Sequence, residues 1–388
     1  MLAVLIEDSK HSQKGSLQIC TQMNKLISIV LPTFNEKENI QPIVAELLEL
    51  NSEYDLEILV VDDDSPDGTA EAVRKLARKH KNIRLIRRVG RNGLASAIKE
   101  GILDATGDIV ISMDCDGQHE PQTAAEAIKH LIQENLELVI GSRFHKDAII
   151  NGLTSNREKG STYANNLARR SLSPRYANLS DFMTGFFALR INEKTLRNVR
   201  AVEVHGFKFI YELLSVSKGS LKVSEVPLHF QARVSGDSKL DVAILWDFLV
   251  SVIHTFCARI IPRRAISFGI VGISGVFVQL FTSQILTISD NISFESALPI
   301  AVITAACSNY LINNFLTFRS NRLKEWELAK GLLKFLIVSS LPIVANVGLA
   351  TAFYSVVASN TVLAQLVGII VGFTWNYVAS SKFVWNTP

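Results

Sequence analysis

Between Lys334 and Lys382 the chain carries no Asp, Glu, Lys or Arg, and charged residues thin out abruptly after Arg264. So long a run without charge belongs in lipid, whereas in a chain of 388 residues the part preceding it is long enough for a water-soluble core of its own. Four hydrophobic stretches lie near residues 266–288, 296–318, 333–357 and 362–383. Each can cross about 30 Å of hydrocarbon at about 1.5 Å per residue. Arg263 and Arg264 precede the first span, Arg319, Arg322, Lys324 and Lys330 lie between the second and third, and Lys382 ends the fourth. The other two connections hold no Lys or Arg, so the positive-inside rule leaves the soluble part in the cytoplasm. The spans also repeat at an offset of 67: Phe268 maps on Phe335, Val271 on Val338, and Asn309-Tyr310 on Asn376-Tyr377. This is the pattern of two hairpins inserted with the same orientation.

Just before the spans, residues 241–262 carry Leu249, Val252, Ile253, Phe256 and Ile260 on one helical stripe, with Ser251, Thr255 and Arg259 roughly opposite. A helix lying in the membrane interface fits this pattern, and so does a helix packed on the soluble domain. At the other end, residues 1–24 read as a disordered extension, and Met23 is an alternative start.

From residue 25 to 240, apolar runs of strand length alternate with helical patterns, the signature of an α/β domain with a largely parallel sheet. Strands are expected over 26–31, 56–61, 83–86, 108–113, 136–140, 185–190 and 221–227. Helices are expected over 36–50, 67–80, 94–105, 121–133, 157–172 and 207–218. Ligands of such sheets sit outside the carboxyl ends of the strands. The polar clusters PTFNE, DDDSPDGT, DCDGQH and GSRF each follow a strand, so four segments converge on one edge.

Asp114 and Asp116 stand two apart at a strand end, where alternation sends both carboxylates to one face and Cys115 to the other. Two acids so placed suit a hard divalent cation, Mg2+ or Mn2+, that keeps some waters and bridges substrate phosphates, with Gln118 as a neutral oxygen ligand. Asp62, Asp63 and Asp64 end the second strand; one of them is expected to accept from a base or ribose. Pro32, Phe34, Asn35 and Glu36 form the other wall, and Asp67 reads as a helix-capping residue. A formal net charge of +3 gives no sign of a nucleic-acid binder. Four scattered cysteines suggest neither a zinc site nor a disulfide framework. Neither GxGxxG nor GxxxxGK[ST] occurs, which leaves a nucleotide the role of leaving group.

PTFNEKENI, VVDDDSPDGT, RNGLASAIKEG, MDCDGQHEP, GSRF, TGFFALR and GDSKL resemble, in order and spacing, the family 2 glycosyltransferases of GT-A fold, and most of all the dolichyl-phosphate mannose synthases. Residues 263–388 resemble the GtrA-like domain fused to some of them. The expected fold is therefore an α/β GT-A domain followed by an all-α, four-helix transmembrane domain. The resemblance implies a metal site of Asp114, Asp116 and Gln118, and a nucleotide site of Pro32, Phe34, Glu36, Asp63 and Asp114. It implies that Arg143, Arg157 and Ser161 hold a lipid phosphate, while Arg233 and Lys239 neutralise the diphosphate. Asp181 falls near the acceptor. Phe34 stands where the family often has Tyr, and Gly117 replaces a bulkier residue.

The activity so implied is inverting transfer of a hexose, mannose from GDP-mannose above all, to a polyprenyl or dolichyl phosphate in the bilayer. Asp116, Arg143 and Arg157 would carry it. A polyprenyl-phosphate glycosyltransferase using a UDP-sugar is the alternative within the class. A non-catalytic lipid-linked-sugar translocator or membrane scaffold is the alternative outside it.

Overall fold

The computed structural model describes residues 25–50, 54–91, 93–117, 121–149, 155–204, 208–228, 242–289, 294–356 and 361–387. The 1–24 extension, Gln118, Arg233 and Lys239 lie outside these. The chain divides into two compact units, Met1–Phe248 and Leu249–Pro388.

Among its described residues the first unit holds seven strands: β1 (Leu26–Thr33), β2 (Asp55–Asp62), β3 (Ile83–Arg87), β4 (Ile109–Ser112), β5 (Leu138–Ser142), β6 (Phe187–Arg190) and β7 (Val223–Pro227). Between and beside them run the helices α1 (Ile40–Glu49), α2 (Thr69–Lys79), α3 (Leu94–Asp104), α4 (Pro121–Gln133), α5 (Ser155–Ser171), α6 (Glu193–Ala201) and α7 (Phe209–Ser217). The sheet order is β3-β2-β1-β4-β6-β5-β7. β1 runs parallel to both β2 and β4, and β5 parallel to β7, whereas β6 is antiparallel to β4 and β5. After its first residue β1 is buried throughout, which explains why LISIVLPT is largely apolar rather than alternating, with the Ser28 hydroxyl bonded to Glu57. Gly101 lets α3 close on this strand: a Cβ there would stand 2.4 Å from Val30 Cγ1.

At the amino end of the sheet, away from the polar clusters, Glu57 is a buried structural acid. It accepts from Ser28 Oγ at 2.6 Å, from Thr106 N at 3.0 Å and from Arg84 Nη1 at 2.6 Å. Burial alone would raise its carboxyl; these donors outweigh that and hold it below the ordinary value.

The sequence reading missed α6. Its Asn192 and Thr195 form a capping box, each side chain accepting from the other's backbone N–H, and this was the available signal. With Leu196 and Val199 as its main apolar residues, the helix lacks the stripe on which periodicity depends.

α8 (Val242–Phe256) straddles the boundary between the units, which falls at Phe248 and not at the charge break near Arg264. Its expected stripe is split, since Leu249 and Phe256 are exposed while Val252 is buried. Ser251, assigned to the polar side, is also buried and accepts from Arg263 Nη1 at 2.8 Å.

The second unit continues with α9 (Arg263–Ser289), α10 (Phe294–Ile312), α11 (Glu325–Val356) and α12 (Thr361–Ala379). Among the described residues, Arg263–Ile288 and Ser296–Thr317 are long and apolar enough to cross a membrane. π-helical turns extend α10 over Asn313–Thr317 and α12 over Ser380–Val384, again 67 residues apart. The aromatic contacts follow the same offset. Phe268 meets Tyr377 at 5.7 Å and Phe335 meets Tyr310 at 5.7 Å. Phe268 meets Phe318 at 6.4 Å, and Phe335 meets Trp385 at 5.9 Å. Phe318 and Trp385 stack on each other at 4.1 Å, where the two copies come together.

Candidate active site

β1 is flanked by β2 on one side and β4 on the other, so successive connections leave it in opposite directions and open a crevice at the carboxyl ends. The loop after β1 forms one wall. Asn35 takes a left-handed φ of 62° and donates its N–H to Ser65 Oγ at 2.9 Å. Glu36 N donates to Thr69 Oγ1 at 3.1 Å, and Asn39 Nδ2 donates to the Glu36 carboxylate at 2.7 Å. Pro32 is buried at the end of β1, while Phe34 is 42 % exposed. Asp67 accepts from Thr69 N at 2.9 Å, but the N-cap of α2 is Gly68, so Asp67 braces the turn before the helix rather than capping it.

The three aspartates after β2 have separate tasks. Asp62 is fully buried and accepts from Ser65 Oγ at 2.5 Å and Thr33 Oγ1 at 3.2 Å, tying the two loops together. Asp64 pairs with Arg87 at the surface. Asp63 accepts from Gly93 N at 2.7 Å and is ion-paired with the buried Arg88, which also bonds Glu100 and Ser96. Burial raises the Asp63 carboxyl in spite of these partners. Asp63 is thus fixed by Gly93 and Arg88, and Arg88 is a supporting residue that the sequence reading missed.

Beyond β4, Cys115 points into the core while Asp114 stays partly open and Asp116 lies mostly buried. The alternation argument anticipated the inward Cys115. Burial, followed by the charges of Glu36, Asp116 and Asp114, pushes the Cys115 thiol far up. Three carboxylates therefore crowd one neighbourhood, a costly arrangement that a cation relieves. Among the described residues no three His, Cys, Asp or Glu side chains converge as a closed metal site. One partly exposed and one buried aspartate fit a divalent ion whose remaining ligands are waters and substrate phosphates. Gly185, just before β6, abuts one of them: a Cβ there would stand 3.0 Å from Asp114 Oδ1.

The opposite wall is built from β5, the 179–186 segment and β7. Arg143, one residue past β5, donates from Nε to Asp181 Oδ2 at 2.7 Å and from Nη2 to Oδ1 at 3.0 Å. The Arg143 side chain is 16 % exposed and the Asp181 side chain 0 %. Burial by itself would raise the Asp181 carboxyl, yet the Arg143 charge and hydrogen bonds hold it below the usual carboxylate range. Glu225 of β7 fixes the turn beneath, accepting from Ser180 N at 2.7 Å and Asp181 N at 3.0 Å. Helix α5, which carries Arg157 and Ser161, is pinned to the same turn. Asn165 Oδ1 accepts from Phe182 N at 2.8 Å, and Arg169 Nε donates to Leu179 O at 3.2 Å. Ser161 is partly exposed, and Arg157 lies on the first turn of α5 with its side chain outside the described set. Lys208, ahead of α7, donates to Met183 O at 3.2 Å. Burial, then Arg143, draws its amine down to about 7, while Asp181 and Asp114 oppose the shift. Glu225 and Lys208 carried no sequence signal, because each matters only through what the fold brings beside it.

A family model for "Glycosyl transferase family 2" matches residues 28–194, and one for "GtrA/DPMS, transmembrane domain" matches residues 267–385. The chain is 31 % identical over 368 residues to the dolichol-phosphate mannosyltransferase of Pyrococcus furiosus, covering 93 % of this chain and 99 % of that one. It is also 31 % identical over 258 residues to the dolichol-phosphate mannosyltransferase of Mycosarcoma maydis, covering 64 % and 85 % respectively. Among solved structures it is similar to glucosyl-3-phosphoglycerate synthase from Mycobacterium tuberculosis in complex with Mn2+, UDP and glucosyl-3-phosphoglycerate, at 20 % identity and a TM-score of 0.45, covering 61 % of this chain and 80 % of that one. With the polar crevice at the sheet's carboxyl edge and a near end-to-end relative in hand, the chain belongs to the dolichol-phosphate mannosyltransferase family, a family 2 glycosyltransferase domain joined to a GtrA/DPMS transmembrane domain.

Proposed function

We propose that the protein transfers mannose from GDP-mannose to the phosphate of a polyprenol or dolichol, with inversion, at the cytoplasmic face of a membrane. The observation that carries this reading is that one segment joins the two walls: Asp181 holds Arg143 at 2.7 Å, and four residues on Gly185 lies against the Asp114 carboxylate. A donor diphosphate at the aspartates and an acceptor phosphate at the arginine would thus meet in one place. Both relatives named above are dolichol-phosphate mannosyltransferases, which favours this donor and acceptor.

In the proposed reaction, a lipid phosphate oxygen attacks the anomeric carbon. The carbon–oxygen bond to the nucleotide breaks, and its electron pair leaves on the β-phosphate oxygen. The nucleophile is already ionised at neutral pH, so no general base has to remove a proton. In-line displacement on an α-linked donor gives a β-linked sugar phosphate. Asp114 and Asp116, with Gln118, would hold Mg2+ or Mn2+, which when bound supplies Lewis-acid stabilisation of the diphosphate charge. Asp63, oriented by Arg88 and Gly93, faces the nucleoside with Pro32, Phe34 and Glu36. Arg143, Arg157 and Ser161 receive the lipid phosphate, since guanidinium groups grip phosphate oxygens in a fixed geometry. Arg233 and Lys239 screen the diphosphate. The basic residues at Arg263, Arg264, Arg319, Arg322, Lys324, Lys330 and Lys382 support the cytoplasmic orientation of the soluble unit.

The test is a panel of radiolabelled GDP- and UDP-sugars offered with polyprenyl phosphate, with and without chelator. GDP-mannose should label the lipid, and both chelation and Asp116→Ala should abolish labelling while the circular dichroism spectrum stays unchanged. Labelling from a UDP-sugar alone would replace the donor assignment. Full turnover in Asp116→Ala would remove the metal site, and lipid binding without any labelling would leave a translocator.

A further inference from the structure

In the membrane unit, the connection from α10 to α11 presents charge on a fixed frame. Asn314 clamps Leu323 by its backbone, Oδ1 accepting from Leu323 N at 2.9 Å and Nδ2 donating to Leu323 O at 3.0 Å. The Leu323 side chain packs on the cluster of Tyr310, Phe318 and Trp385. Gly331 lets α11 close over it, since a Cβ there would stand 2.5 Å from Leu323 Cδ1. Tyr310 Oη also donates to Leu328 O at 2.7 Å, which ties the first turns of α11 to the same frame. The backbone at Arg322 is extended, with φ −59° and ψ 124°, so Arg322 and Lys324 fall opposite the inward Leu323, and both are exposed.

The surface so built is strongly basic. From Arg319 to Lys334 five cations stand against two acids, Glu325 and Glu327, an excess as large as the +3 of the whole chain. The neighbouring helix ends add no acid: α9 begins with Arg263 and Arg264, and Lys382 follows α12. Within residues 249–388 the remaining acids, Asp290 and Glu295, fall in sequence where α9 gives way to α10, at the other end of that hairpin.

The same surface is amphipathic in a graded way. The Arg322 guanidinium lies 3.8 Å from the centroid of the exposed Phe315 ring, a stack that uses its face and not the N–H edge that grips oxygen anions. Trp326, on the first turn of α11, is 70 % exposed. Helical spacing puts Lys330, Leu333, Lys334 and Ile337 on its face, all exposed, so the stripe runs from aromatic through cationic to aliphatic. An exposed indole beside lysines, followed by exposed aliphatic side chains, matches the headgroup boundary of a bilayer, where lysine stems lie along the acyl region.

We propose that the 315–334 surface binds the headgroups of anionic phospholipids, with Arg322 and Lys324 taking the phosphate and Trp326 seated at the acyl boundary. Charge selects the phosphate, and the aliphatic end of the stripe selects a lipid over a soluble anion. The proposal does not need the sugar-transfer reading.

The experiment titrates the full-length protein in detergent with phosphatidylglycerol and phosphatidylcholine of identical acyl chains, bound lipid being counted by native mass spectrometry. Wild type should prefer phosphatidylglycerol, and glycerol 3-phosphate should not displace it. Arg322→Gln/Lys324→Gln should lose about fivefold in phosphatidylglycerol affinity for each cation removed, with phosphatidylcholine binding unchanged. The charge-keeping exchange Arg322→Lys/Lys324→Arg should retain most of the preference. Lys324→Gln alone leaves the Arg322–Phe315 stack in place, so its loss is read in an undisturbed fold, and melting temperatures without lipid check this. Equal wild-type affinity for the two lipids would overturn the proposal, as would an unaltered phosphatidylglycerol affinity in Lys324→Gln and the double variant. Displacement by glycerol 3-phosphate would overturn it too, by making the site one for a soluble phosphate. No sugar transfer enters the measurement, so its failure and that of the glycosyl-transfer reading are separate results.

Discussion

Replacing Asp181 with Asn keeps the side chain's volume and removes its charge, leaving the Arg143 guanidinium, 16 % exposed, beside a neutral amide. Breaking a buried ion pair from one side costs ~3–5 kcal/mol, because the remaining charge stays desolvated. In a unit of roughly 200 residues each kcal/mol moves the melting temperature by ~2–4 °C, so the low ends of both ranges give a fall of about 6 °C. Removing both charges in Arg143→Met/Asp181→Asn should restore much of this loss, and a double-mutant cycle isolates the coupling. The pH dependence has a definite sign. The folded Asp181 carboxyl lies below its ordinary value of ~3.9, so its stabilisation is complete above that pH and is lost as pH falls through the folded value. The difference between wild type and Asp181→Asn should therefore stay constant from about pH 5 to pH 8 and shrink in stronger acid. Scanning fluorimetry in detergent across that range measures it, with the lipid-phosphate KM beside it. A melting temperature within about 1 °C of wild type at pH 7, together with an unchanged KM, would refute the claim that Asp181 holds Arg143 for the acceptor.

Gly185→Ala should displace the Asp114 carboxylate, since the new methyl group would stand 3.0 Å from Oδ1 and 3.1 Å from Oδ2. The expected result is about a tenfold or greater loss of kcat with a weaker Mn2+ titration and a preserved fold; unaltered Mn2+ affinity would mean that the carboxylate does not need its present position. In the membrane unit, Trp385→Ala removes the stack on Phe318 and the bond from Nε1 to Asn314 Oδ1, whereas Trp385→Phe removes the bond and keeps a ring. Unfolding in detergent should show about 3 kcal/mol for the first and about 1 kcal/mol for the second, and equal effects would deny the stack its part in joining the repeats.

Period-two alternation was enough to send Cys115 inward, because that depends only on the local backbone. The strand and helix positions followed from hydrophobic runs for the same reason, and the repeat at an offset of 67 was readable because each copy keeps its own Asn-Tyr pair. What the pattern could not supply is partner choice across the sheet. Asp62, Asp63 and Asp64 are adjacent in sequence, yet one ties two loops, one is gripped by Arg88 and one pairs at the surface. Only the neighbours that β1, β3 and α3 bring in distinguish them. Arg143 shows the consequence for function. From the sequence it is a phosphate grip; in the fold its Nε and Nη2 edge is already committed to Asp181. The carboxylate therefore fixes the orientation of the guanidinium. Glu225 decides in turn where that carboxylate stands. Two acids elsewhere in the chain thus orient the arginine, Asp181 directly and Glu225 through the turn that carries it, and a reading of basic residues alone has no access to either.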